Sequence, residues 1–303
     1  MNRLFVTGDM HCNACGEFSK LNTKNFPVQK ELSKDDYILI AGDFGCIWNG
    51  STEEEYWLDW LENKPFTTLF VDGNHENHAR LAQFPVEEWH GGKVHHIRSS
   101  ILHLMRGQIF DIADLKVFAM GGASSHDIRD GILDPDDPFF RDDYRKLRSQ
   151  NALFRIKGWS WWPEEIPSQE EYDEAEKNLD ANGRAVDLIV SHCAPSSISD
   201  IISGGMYQLD ELTDYFEKLR DSVEYKGWIF GHYHDNQVVQ RKHVLLYDQV
   251  CEVFAKTESG NFGILLSNIL AAGRGVRIFF NEEKRRWNSS LPEALMAAGP
   301  SGT

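Results

Sequence analysis

No dense run of lysine and arginine, no membrane-length apolar stretch and no paired-cysteine framework occurs in this chain. Each absence removes a class of function. With a formal net charge of -16, the chain lacks the basic footprint that binding along a nucleic-acid backbone needs, so extended DNA or RNA is not an expected partner. The charge leaves room for a nucleotide, or a short strand end, captured by metal ions. Without about 20 consecutive apolar residues no membrane span is predicted. The first residues, Asn2-Arg3-Leu4-Phe5-Val6, read as a strand rather than a leader. Five cysteines, an odd number, are expected as reduced thiols in a cytoplasmic protein. Cys12-Asn13-Ala14-Cys15 has redox-motif spacing, but a zinc ribbon needs a second such pair that the sequence does not have.

What is present is a chain long enough to bury a full core, with 41% apolar and 26% charged residues, the balance of an ordinary globular protein. Short, almost continuous apolar runs recur, and each leads into a polar loop. Leu4-Phe5-Val6 leads to Gly8-Asp9, and Tyr37-Ile38-Leu39-Ile40-Ala41 leads to Gly42-Asp43. Thr68-Leu69-Phe70-Val71 leads to Asp72-Gly73-Asn74. Val186-Asp187-Leu188-Ile189-Val190 leads to Ser191-His192, and Trp228-Ile229-Phe230 leads to Gly231-His232. Such runs predict strands buried on both faces, and chemistry in such sheets sits beyond the carboxyl ends of the strands. Thr52-Glu53-Glu54-Glu55 reads as a capping box opening a helix. Apolar spacing predicts further helices over 169–179 and 209–220. Residues 94–120 predict hairpins of a second sheet.

Residues 128–158, rich in Asp, Arg and Pro, read as a surface insertion that borders the site and sets substrate choice. A tryptophan cluster, Trp159-Ser160-Trp161-Trp162, follows it. Residues 256–303 read as a C-terminal extension whose last residues are expected to be disordered.

Five loops offer oxygen and imidazole donors: Asp9-Met10-His11, Gly42-Asp43, Gly73-Asn74-His75-Glu76, Ser191-His192 and Gly231-His232-Tyr233-His234. Taken singly these have plain structural readings, since Gly-Asp and Gly-Asn are turn chemistry and a lone histidine is more often a surface or core residue. Together, and each after an apolar strand, they suit two hard or borderline divalent cations held side by side.

In this order the five segments resemble the calcineurin-like metallophosphoesterase superfamily, whose pattern is Asp-x-His, Gly-Asp, Gly-Asn-His-Asp/Glu, a lone His, then Gly-His-x-His. The likeness is nearest to small bacterial and phage members. It implies an α/β fold, a four-layer α/β/β/α sandwich of two mixed sheets, in a domain over residues 1–255. It implies that Asp9, His11, Asp43 and His234 bind one metal and that Asp43, Asn74, His192 and His232 bind a second, with Asp43 bridging. Manganese is favoured, with iron or zinc as the other candidates. The implied activity is hydrolysis of phosphate esters by a hydroxide bridging ions about 3.5 Å apart. His75 would be the proton donor, oriented by Asp72 or Glu76.

Cys12 stands where many members carry glycine. Phe44-Gly45 follows Gly42-Asp43 where the protein-phosphatase branch carries a phosphate-clamping arginine. A replacement clamp is expected, and Arg155 and Arg129 are the candidates. Trp161 and Trp162 are candidates for an aromatic wall against the substrate, with core packing as their structural reading. A nuclease or cyclic-nucleotide phosphodiesterase, and a non-catalytic interaction scaffold of the same fold, are the competing functions.

Overall fold

The structure, a computed structural model, describes residues 2–255, 262–267, 276–281 and 286–289. The apolar runs form strands as expected. β1 (Leu4–Thr7), β2 (Tyr37–Ala41) and β3 (Thr67–Val71) are parallel neighbours. β4 (Val86–Trp89), β5 (Gly92–Arg98) and β6 (Ile101–Leu104) follow, and then the hairpin of β7 (Gln108–Ile112) and β8 (Leu115–Met120). β9 (Ile132–Leu133) and β10 (Arg155–Ile156) make a separate two-stranded ribbon. The chain continues through β11 (Ala185–Ser191), β12 (Glu224–Phe230), β13 (Gln237–Val239) and β14 (His243–Leu245). The last described strands are β15 (Val250–Phe254), β16 (Gly263–Ser267), β17 (Val276–Asn281) and β18 (Arg286–Ser289).

Among the described residues these strands build two large mixed sheets. One has the order β18-β17-β16-β15-β1-β2-β3-β6-β5-β4 and the other β13-β14-β12-β11-β8-β7. Residues 94–120 therefore divide between the sheets instead of forming one. β6 pairs parallel to β3, while β8 pairs parallel to β11. Periodicity shows that a strand exists but not which neighbour it takes.

Alternation along each strand stacks the layers. Leu4, Val6, Leu39 and Leu69 point to a core shared with Val117, Leu188, Val190 and Ile229 of the opposite sheet. Their neighbours Phe5, Ile38, Ile40 and Phe70 face the other way. There they meet Leu58 and Leu61 of α1 (Thr52–Glu62) and the turns around Phe18 and Phe26. A short α2 (His78–Leu81) and the insertion's α3 (Phe140–Ser149) follow in the chain. On the far side of the smaller sheet, Phe118, Ile189, Trp228 and Phe230 meet α4 (Gln169–Ala181), α5 (Ser196–Ser203) and α6 (Glu211–Ser222). The order is thus helix, sheet, sheet, helix.

The starts of α1, α2, α4 and α6 are set by capping side chains. Ser168 and Asp210 each complete a capping box. At α1 the cap is Ser51, one residue earlier than expected, with its side chain accepting from the Glu54 N–H. The Glu54 carboxylate does not cap the helix in return. It accepts the N–H groups of Trp48, Asn49 and Gly50 and so shapes the loop beyond β2.

The insertion stands outside these layers. α3 buries none of its residues, and the arm closes at its base where Asp130 N–H donates to the Leu153 carbonyl at 2.8 Å. Of the expected extension, β16 to β18 join the larger sheet beyond β15. The tail expected beyond residue 289 lies outside the described residues. Among the described residues no helix is long and apolar enough to cross a membrane.

Candidate metal centre

All five ligand-bearing loops leave the same edge of the sandwich. Asp9 and His11 follow β1, Asp43 follows β2, Asn74 and His75 follow β3, His192 follows β11, and His232 and His234 follow β12. The sheets bring these loops into contact because glycines leave room, Gly42 against His192 among them. A Cβ on Gly73 would fall 2.1 Å from Asp43 Oδ1, and one on Gly231 would fall 2.2 Å from Asp9 Oδ1. The backbone also departs from ordinary geometry. His11, Asp43, His232 and His234 have φ of 41°, 47°, 73° and 50°, in the left-handed region that costs an L-residue about 1–2 kcal/mol.

Asp43 is at the centre. Its Oδ2 lies 3.2 Å from His11 Nε2 and its Oδ1 lies 3.1 Å from His192 Nε2. Asp9 Oδ2 lies 3.0 Å from His234 Nε2. Asp9, His11, Asp43 and His234 each offer one donor atom, all within 4.8 Å of one another. Donor atoms bound to one cation at about 2.1 Å stand roughly 3.0–3.4 Å apart, so these spacings suit a shared ion. Three further observations point the same way. Asp9 Oδ2 and His192 Nε2 are buried with only their close approaches to His234 and Asp43, and Asn74 Oδ1 is buried without a hydrogen-bond partner. Each such atom costs about 1–3 kcal/mol unless something binds it. Asp9, His11, Asp43 and His234 therefore fit a divalent cation.

The electrostatics agree. Burial opposes the charge of Asp43, yet the His192 and His11 imidazoles hold its carboxyl well below the usual range. Burial likewise opposes a charged His192, but Asp43 and Asp9 raise it to about 9. The cluster demands positive charge at this point, whether a proton or a metal supplies it. His192 Nδ1 donates to the Ala41 carbonyl at 2.8 Å, which leaves the Nε2 lone pair available to a cation.

Sequence reasoning missed the groups around this cluster. Glu17, buried in the turn after Cys15, stands 3.3 Å from His11 Nδ1. Lys20, also buried, donates to the Asp9 carbonyl at 2.7 Å and the Gly8 carbonyl at 3.1 Å. Neither Asp72 nor Glu76 orients His75. Asp72 is tied to Arg106 and to His103 Nε2 at 3.1 Å. Glu76 accepts the N–H groups of Phe44 and Gly45. The partner of His75 is Arg155, whose Nη2 lies 3.0 Å from His75 Nε2 and whose Nε pairs with Asp127 at 2.6 Å. Burial, with Arg155 and His11 adding to it against Asp43, lowers His75 to about 4. Arg155 is a candidate from the sequence, but its pairing with a histidine 80 residues away leaves no local signal.

The remaining candidates separate. Arg155 is buried at the site, whereas Arg129 is exposed, with no contact to the cluster among the described residues. Trp162 is buried and lies edge-on to Trp48 at 5.1 Å between centroids. It is Trp48 that lines the cleft beside the cluster. Cys12 and Cys46 form a disulfide, against the expectation of reduced thiols. The cause is proximity that only the fold creates: Cys12 N–H donates to the Phe44 carbonyl at 3.0 Å, laying the loops after β1 and β2 side by side.

The family model for calcineurin-like phosphoesterase matches residues 3–236. The chain belongs to the calcineurin-like phosphoesterase family. No curated protein matches it. As a family member it has phosphate esters as its substrate class and metal dependence as its chemistry. The matched span holds every candidate ligand from Asp9 to His234, together with His75 and Arg155.

Proposed function

We propose that this family member hydrolyses esters carrying a single phosphoryl group, with two divalent cations held by Asp9, His11, Asp43, Asn74, His192, His232 and His234. The observation that carries the reading is the convergence of donor atoms from Asp9, His11, Asp43 and His234, with His192 on Asp43 and with Asn74 Oδ1 buried and unpartnered. When bound, the cations supply Lewis acidity and lower the pKa of water. Manganese fits the mixed imidazole, carboxylate and amide set, as do iron and zinc. Asn74 and the neutral imidazoles keep the ligand charge low, which preserves that acidity.

The chain's own groups then bind and orient the ester. Arg155 offers a charged fork to phosphate oxygens, held in aim by Asp127. In this arrangement its guanidinium donates to His75 Nε2. Phosphate oxygens that take over those donors free His75 Nε2, which takes up a proton from solvent and then delivers it to the leaving oxygen. The cleft of about 730 Å³ beside the cluster is lined by Trp48, Tyr247, Glu17 and Glu53, and its lining includes no lysine or arginine. A second phosphoryl group would meet carboxylates there, while an aromatic or alkyl leaving group would meet Trp48. Nucleoside diphosphates and triphosphates are therefore disfavoured, and a nucleoside monophosphate is the largest nucleotide the cleft suits.

The test is turnover of p-nitrophenyl phosphate and bis-p-nitrophenyl phosphate with and without manganese, alongside elemental analysis. Metal-dependent turnover, near two metals per chain and loss of both in Asp43→Asn are expected. Full metal loading without turnover of either ester would leave an interaction scaffold as the better reading.

A further inference from the structure

His126 follows the Gly121-Gly122 turn and reads from sequence as an ordinary surface histidine. It is exposed, yet its Nε2 lies 2.6 Å from Nε2 of His232. Two imidazole nitrogens at that distance share one proton, so one ring donates and the other accepts. The contact is built rather than incidental. His126 stacks on Tyr207, with centroids 4.6 Å apart and 28° between planes. The His232 ring lies 4.5 Å from His126 on one side and 4.9 Å from His192 on the other. The His232 backbone is fixed as well, through its N–H to Asp9 Oδ1 at 3.1 Å. With Nε2 engaged by His126, the ring nitrogen of His232 left for a cation is Nδ1.

We propose that His126 is a positioning residue for the second metal. It accepts the Nε2–H of His232, fixes the tautomer that keeps the Nδ1 lone pair free for a cation, and so sets the affinity of that position. The inference rests on the two-metal reading above. The partner groups differ in a way that matters. His192 has its tautomer fixed by the Ala41 backbone carbonyl, which no substitution removes. His232 depends on one side chain at the rim. A neutral acceptor there orients the ligand without adding negative charge, in keeping with the neutral Asn74. Outer hydrogen-bond partners of this kind typically change metal affinity by about 10–100-fold.

Two substitutions separate orientation from packing. His126→Phe keeps a flat ring for Tyr207 and removes the acceptor. His126→Gln keeps an acceptor and gives up the ring. Manganese is titrated into the metal-free full chain by calorimetry, and paired ions are read by the exchange-coupled electron paramagnetic resonance signal. The wild-type chain should take up two equivalents and show the coupled signal. His126→Phe should bind the first equivalent unchanged and the second about 10–100-fold more weakly, with the coupled signal lost at matched metal. His126→Gln should recover most of the second affinity. Equal second affinity in His126→Phe and wild type would overturn the proposal. So would a parallel weakening of both equivalents, which would mark a general structural role. Fewer than two equivalents in the wild-type chain would overturn the two-metal reading itself, and this inference with it.

Discussion

His75 ties two functions to one residue. Its backbone N–H donates to Asp43 Oδ1 at 2.8 Å, and its ring meets Arg155. The backbone bond survives truncation of the side chain, so His75→Ala should keep its metal. Turnover of alkyl phosphates should fall by roughly two to four orders of magnitude. The loss should shrink for nitrophenyl esters, whose leaving group scarcely needs a proton. Equal losses for both esters would show that His75 serves to hold Arg155 in place. Arg155→Ala acts on the other partner. A charged hydrogen bond to phosphate contributes about 1.5–3 kcal/mol, so KM should rise by roughly one to two orders of magnitude at unchanged metal content. A KM equal to wild type would remove Arg155 from the substrate contacts.

At the scale of elements, the loops beyond the strands carry the candidate ligands, and they differ in how far the sequence reveals them. Strand existence and the ligand loops were legible because each apolar run ends in a short polar motif of restricted residue types. Helices starting near Gln169 and Glu211 were legible from spacing. The pairing of Cys12 with Cys46, the Glu54 loop bonds, and the contacts of Glu17, Lys20, His126 and Arg155 were not. Each joins residues that only the completed sheets bring together, and no local pattern marks them. The Cys12–Cys46 bond makes this concrete, since it ties the loop after β1 to the loop after β2 across 34 residues. Cys46→Ala should cost about 2–4 kcal/mol of stability by restoring freedom to the unfolded chain. A strong reductant should lower the melting temperature of the wild-type chain and leave that of Cys46→Ala unchanged. Identical responses of the two would mean that the bond does not form in solution.

At the scale of the whole molecule, the candidate metal centre draws on both sheets. Asp9, His11, Asp43 and Asn74 leave the larger sheet, while His192, His232 and His234 leave the smaller. Metal should therefore stabilise the entire sandwich, by about 4 kcal/mol when free metal stands about 1,000-fold above its dissociation constant. Chelation should lower the melting temperature, and Asp43→Asn should lose that response. Acid acts through buried histidines, with His243 the most strongly lowered among those away from the cluster. His243 is buried, with Tyr225 Oη 3.0 Å from its Nε2, and burial together with Lys242 and Arg220 lowers it to about 3. The unfolded chain takes up this proton near pH 6.5 and the folded chain does not, so stability falls as pH drops below about 6.5. By pH 5 the loss should reach about 2 kcal/mol. Melts in chelator at pH 7.5 and pH 5 should show a smaller acid shift in His243→Leu than in wild type, and equal shifts would refute the assignment. The left-handed backbone at His11, Asp43, His232 and His234 carries a last consequence, for how such a chain can change over time. These positions work against the durability of the apo fold, because each trades local comfort for a well-aimed donor. A lineage released from the need to hydrolyse anything would gain stability by exchanging those residues for glycine or asparagine. It would shed its ligands first and keep its sandwich intact, so an inert descendant should be sturdier than its working ancestor.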